Sequence, residues 1–161
     1  MGRARPPLRW AALAAALGLA GCGYGFSQRY VARGGASSIH VRPFENRSTL
    51  PELGASVTSA LRTELARRGA DGDGGGAAEI DGEVRADEPV VSSRGGATWH
   101  VGLTVRARLV SQGAIVAEHV ARRETDFVGG VDPLETEGRR ALALRRLADD
   151  AARDILRAFE R

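Results

Sequence analysis

The sequence predicts an α+β fold: a single domain with a four-stranded mixed sheet and two amphipathic helices on one face, in the order βαβββα. Three observations lead there. Leu50, Leu53, Val57, Leu61 and Leu65 recur at three and four residues, as do Leu144, Ala148, Ala151, Ile155 and Phe159, which makes two helices with one apolar stripe each. Between them, Ile80 to Ala86 and Trp99 to Leu109 alternate apolar with polar residues, the period of half-buried strands. Gln112-Gly113 joins two such runs by a connection short enough for a hairpin.

In chain order, the segment Ser38 to Phe44 sets Ile39 and Val41 on one side and His40 and Arg42 on the other. This is a short strand that ends before Pro43, which has no N–H to give a ladder. Glu45 to Thr49 is a loop. The first helix is expected from about Pro51 to Arg68, with Ser48 or Thr49 as N-cap, Pro51 near the first turn and Gly69 as the stop. Gly69 to Gly76 is a glycine-rich surface connection. A right-handed crossover through the helix makes the strands on either side of it a parallel pair.

The second strand puts Ile80, Gly82, Val84 and Ala86 opposite Asp81, Glu83, Arg85 and Asp87. A loop with Pro89 and Ser92 to Gly96 leads to the clearest strand, where Trp99, Val101, Leu103, Val105, Ala107 and Leu109 share a face. The fourth strand, Ala114 to Phe127, alternates less cleanly. Ile115, Ala117, Ala121 and Phe127 fall with His119 and Arg123, while Val116 and Val120 fall on the other side, which calls for a bulge or for contacts on both faces. Asp132-Pro133 is the cap and first turn of a helix that runs to the end of the chain. Leu147 and Leu156 widen its stripe, and Arg139, Arg140, Arg145 and Arg146 stand within pairing reach of Asp149, Asp150 and Asp154.

Ahead of this domain, Arg3, Arg5 and Arg9 precede an apolar run from Trp10 to Ala20, the layout of an export signal. As a helix the run would extend about 16 Å, against about 30 Å of hydrocarbon, too short to remain as a span. Leu19-Ala20-Gly21-Cys22 resembles the lipobox of bacterial lipoproteins. That resemblance implies cleavage before Cys22, the sole cysteine, and acylation of Cys22 with diacylglycerol and palmitate as a permanent anchor. Several acyl chains, at about 0.8 kcal/mol per buried CH₂, hold a protein where one chain would not. The expected domains are residues 1–21 as leader, 22–37 as lipidated tether and 38–161 as the α+β domain. Gly23 after the cysteine, rather than an aspartate, favours the outer membrane.

The overall basic charge belongs to the leader. Three of the 23 basic residues lie there, and the remaining 20 balance 20 acidic ones. Nucleic-acid binding therefore loses its electrostatic support. All the basic residues are arginine. No catalytic constellation is visible: the serines lack a nucleophile elbow, and His40, His100 and His119 have no second ligand at metal-site spacing. Asp71 and Asp73 lack the closing glutamate of a calcium loop, Gly82 standing in its place, and the glycine run lacks the Lys-Ser/Thr end of a phosphate loop. No enzyme, cofactor or metal is expected.

Leu19 to Phe26 (LAGCGYGF) and Ile39 to Ser48 (IHVRPFENRS), followed at once by the amphipathic helix, resemble the LptE family of LPS-assembly lipoproteins, with its Cys-Gly-Tyr start and its strand with a Phe-x-Asn segment. The resemblance implies an outer-membrane lipoprotein on the periplasmic side. It would plug the LptD β-barrel, help it assemble and contact lipopolysaccharide. Phosphates of such a ligand suit arginines, and Arg94, Arg106, Arg108 and Arg122 are the candidates. Cross-strand pairing with Glu83, Asp81 or Glu124 is the plainer reading of each. Two others stay open: an accessory of another envelope machine, such as a secretin pilot or curli-type pore component, and a free-standing lipid- or glycan-binding periplasmic module.

Overall fold

The computed structural model describes residues 30–72, 78–92 and 98–161. Its elements are β1 (Ile39–Val41), β2 (Glu45–Asn46), α1 (Leu53–Arg67), β3 (Ala78–Ala86), β4 (Val90–Val91), β5 (Thr98–Ser111), β6 (Ala114–Val128) and α2 (Pro133–Phe159). The sheet has six strands rather than the four expected. Two of the expected lanes are each broken in two. β1 and β2 both run parallel to β3, at Ala78 to Ile80 and at Glu83 to Val84, because Pro43 interrupts the ladder between them. β3 and β4 both run antiparallel to β5, at Leu103 to Val110 and at Trp99 to His100, with the break at Asp87 to Pro89. β6 takes the other edge of β5 along its whole length.

α1 ends as the sequence implies. Gly69 has φ +66°, and the Gly69 and Ala70 N–H groups donate to the Ala66 and Leu65 carbonyls, a Schellman closure. Its start differs. Glu52 is the N-cap and gives no side-chain cap bond. Ser48 and Thr49 are engaged elsewhere: Ser48 donates to the Asn46 side chain, and Thr49 to Glu88 at 3.1 Å. Asn46 organises this loop, donating to the Leu50 carbonyl at 2.6 Å and accepting from the Ser48 N–H at 3.0 Å. In α2, Asp132 caps as expected, accepting from the Glu135 N–H at 2.8 Å.

Both helices cover the face bearing Ile80, Val84, Leu103, Val105 and Leu109, all of which are buried. The apolar stripe of α2 carries Leu144, Leu147, Ile155, Leu156 and Phe159 into this core. Each large apolar side chain contributes about 1.5–3 kcal/mol, against about 0.2–0.5 kcal/mol for a helical ion pair such as Arg139–Glu135, so the stripe decides where the helix sits. Of the segment read as a tether, Tyr30 is buried and its hydroxyl donates to the Leu156 carbonyl at 2.8 Å. Burial, opposed by nearby Arg68 and reinforced by Glu160, pushes this phenol up to about 12.

The irregular fourth strand resolves into a bulge. The β5–β6 register steps between Leu109 and Val110, so that Leu109 faces Ala117 while Val110 faces Ile115. The slip moves Ile115 to the face away from the helices, contrary to the simple alternation. Gln112 and Gly113 both have positive φ, the turn a two-residue hairpin needs. Among the described residues no helix is long and apolar enough to cross a membrane.

Candidate functional site

Among the described residues the other face of the sheet carries no helix, and its polar residues stand in cross-strand rows. Register sets Arg85, Thr104 and Arg122 side by side across β3, β5 and β6. The next row is Glu83, Arg106 and Val120, and the one after it Asp81, Arg108 and Glu118. Facing residues in neighbouring strands point the same way, so these nine side chains share one surface.

Arg47, just beyond β2, leans in from the edge. It meets Glu45 at 2.9 Å and Glu83 at 3.6 Å. Together Arg47, Glu83, Arg85, Thr104, Arg106, Val120 and Arg122 line a hollow of about 360 Å³. Four guanidinium groups therefore surround one carboxylate, and that carboxylate is already engaged by Arg47. Arg85, Arg106 and Arg122 have no ion-pair partner among the described residues. Arg85 and Arg122 stand two strand spacings apart, about 9.5 Å, which is within about one screening length at physiological salt. No ion pair among the described residues compensates their repulsion. A multivalent anion in the hollow would compensate it and could be gripped by planar, bidentate donors.

The predicted arginines divide. Arg106 and Arg122 line the hollow, whereas Arg108 donates to Asp81 at 2.8 Å in the adjoining row, the cross-strand pairing considered from sequence. Arg94 and Cys22 lie outside the described residues. Arg47 and Arg85 were missed. Arg85 reads from sequence only as one more wet residue on its strand, and register alone places it opposite Arg122.

The histidines stand apart from this hollow. On the open face His100 contacts Asp126 at 2.9 Å and Glu124 at 3.6 Å. On the covered face His119 and Arg123 reach across to α2 and share Asp154, at 3.1 and 2.7 Å. Burial raises the Asp154 carboxyl, but the His119 hydrogen bond and the Arg123 charge outweigh it and hold the group below the usual carboxylate range. Among the described residues no three His, Cys, Asp or Glu side chains are placed to hold a metal.

The sequence matches the family model for LptE, lipopolysaccharide assembly, over residues 36–159. The chain belongs to the LptE family. No curated protein matches it. In fold, this LptE-family chain is similar to the rare lipoprotein B from Shewanella oneidensis, with TM-score 0.52, 12% identity, and 71% of this chain and 90% of that one covered. It is also similar to a minor lipoprotein from Acinetobacter baumannii, with TM-score 0.52, 14% identity, and 76% and 90% covered. A third structure, protein XCC0632 from Xanthomonas campestris, has TM-score 0.52, 10% identity, and 74% and 81% covered. The family makes this an LptE-like envelope lipoprotein associated with lipopolysaccharide assembly.

The family-like Phe44-Glu45-Asn46 segment has a structural explanation here. Phe44 is buried, packs over Gly82 of β3, and its N–H donates to the Thr58 hydroxyl oxygen of α1 at 3.0 Å. Thr58 in turn donates to the Gly54 carbonyl at 2.8 Å, and Asn46 braces the loop that starts α1. The motif thus pins α1 to the edge of the sheet.

Proposed function

We propose that this chain is a non-enzymatic outer-membrane lipoprotein that plugs an LptD-type β-barrel, assists its assembly and contacts lipopolysaccharide during export to the outer leaflet. Cys22 is its acylated anchor, on the periplasmic side. The observation that carries the reading is the open sheet face: a family member whose uncovered surface gathers Arg47, Arg85, Arg106 and Arg122 around one hollow. Phosphates of the lipid would bridge Arg85, Arg106 and Arg122. Arg108, committed to Asp81, would contribute less. Arg94 belongs to the same proposal through its sequence alone.

The test is a mild-detergent pull-down of the tagged full-length protein from its own envelope, with mass spectrometry of the partners and of the Cys22 peptide. Recovery of a large barrel of the LptD type at about one to one, with Cys22 acylated, supports the plug. The protein alone, or with a secretin, overturns it. In parallel, Arg106→Gln with Arg122→Gln should weaken lipopolysaccharide binding by at least about tenfold, since each charge-assisted hydrogen bond is worth about 1.5–3 kcal/mol. Arg108→Gln should change it less than about threefold.

A further inference from the structure

On the helical side of the molecule, away from the arginine hollow, the start of α1 and the first turns of α2 leave a gap. Leu50, Leu53, Ala141 and Leu144 enclose a largely apolar groove of about 290 Å³. Arg140 lines the same groove and is the one buried charged residue among those described, at 8% exposure. Its guanidinium is poorly served. The nearest carboxylates, Glu137 and Glu88, stand at 3.6 and 3.5 Å on exposed side chains, and Nε has no partner.

A charge-assisted N–H to carboxylate bond is ordinarily about 2.7–2.9 Å long, and arginine offers five donors in a fixed fork. A buried charge without close partners is costly, so an incoming anion would gain where Glu88 and Glu137 now contribute little. Arg145 lies at the same groove, exposed and with no ion-pair partner among the described residues. Glu52 and Glu137 also line the groove, but on exposed side chains, so it is the apolar walls with the buried, under-used Arg140 and with Arg145 that describe a complement to an alkyl chain ending in an anion. The volume sits at the lower end of small-molecule sites, about 300–1,000 Å³, which suits one chain rather than several.

We propose that this groove binds a single-chain amphiphile with a carboxylate head, a fatty acid. Its chain lies over Leu50, Leu53, Ala141 and Leu144, and its two oxygens meet Arg140 and Arg145. The carboxylate is chosen because its planar oxygen pair matches the guanidinium fork. This site is on the other face of the sheet from the lipopolysaccharide reading and does not depend on it.

The test uses the full-length chain in its own envelope membranes, irradiated with diazirine-bearing dodecanoate or with the matched dodecanol probe, and maps the labelled residues by mass spectrometry. Dodecanoate should label α2 between Glu137 and Arg145, at least about tenfold more than dodecanol does, the factor expected from one charge-assisted contact. Ala141→Phe, which fills the groove from an exposed position, should remove most of that label while leaving the thermal midpoint in place. Arg145→Gln should reduce the preference for the carboxylate. Labelling that is absent from this stretch, equal for the two probes, or unchanged by Ala141→Phe overturns the proposal.

Discussion

Gly82 sits where the sheet leaves no room for a side chain. A Cβ there would stand 2.0 Å from the Arg106 carbonyl oxygen, 2.8 Å from Cε1 of Phe44 and 3.1 Å from Cα of Ala107. Two of these three are backbone atoms of β5, so relief requires β3 to move off its partner, and Phe44 blocks the opposite escape. Overpacking of this kind costs about 1–3 kcal/mol or more. The smaller unfolded-state entropy of alanine returns only about 0.4–1 kcal/mol. Gly82→Ala should therefore destabilise by about 2 kcal/mol and lower Tm by roughly 5 °C or more.

Gly102 supplies the internal control. Its added Cβ would meet only the Asp87 side chain, at 2.5 Å from one carboxylate oxygen, and that group can rotate away. Gly102→Ala should lie within about 1 kcal/mol of the parent, in either direction. Urea unfolding followed by far-ultraviolet circular dichroism, with unchanged m-values, compares the two. Equal stability of the two variants, or Gly82→Ala within about 0.5 kcal/mol of the parent, would refute the reasoning, since that is the ordinary scatter of harmless substitutions.

Tyr30→Phe removes the buried hydrogen bond to the Leu156 carbonyl, which keeps the Glu160 N–H at 3.0 Å, so the loss should be about 0.5–1.5 kcal/mol in chemical denaturation. Tyr30→Ala adds a cavity and should cost about 3–5 kcal/mol by the same assay, the range for truncating a large aromatic. Asp132→Ala deletes the α2 cap and should lower stability by about 1 kcal/mol, read from the denaturation midpoint. Asp154, held low by His119 and Arg123, contributes stability that is complete above its unfolded value near 4 and is lost as pH falls through the lower folded value. Asp154→Asn should accordingly flatten stability against pH below about 4, and an unchanged acid limb would count against the His119–Asp154–Arg123 cluster.

The two helices were legible because their information is local. A stripe at three- and four-residue spacing, the Asp132 cap and the Gly69 stop all lie within a few turns of chain. The long strands and the Gln112-Gly113 hairpin were legible for the same reason, period two over many residues and a turn of two. Strand count was not, because Pro43 and Pro89 break lanes without removing them from the sheet, and a two-residue strand such as Glu45–Asn46 has no periodicity to detect. Ser48 and Thr49 look like caps by type, yet Asn46 and Glu88 compete for their hydroxyls.

The sequence by itself determined the fold class, the order of the main elements, which faces are apolar and which family the chain resembles. Only the tertiary structure decided which residues are neighbours across strands. A single bulge, where the β5–β6 register steps between Leu109 and Val110, re-faced Ile115, and the register of β3, β5 and β6 separated Arg108, next to Asp81, from Arg85, Arg106 and Arg122. The physical reason is range. Periodicity is written along the chain, whereas an arginine without a counter-charge is a property of side chains 16 to 37 residues apart, brought together only when the ladders close.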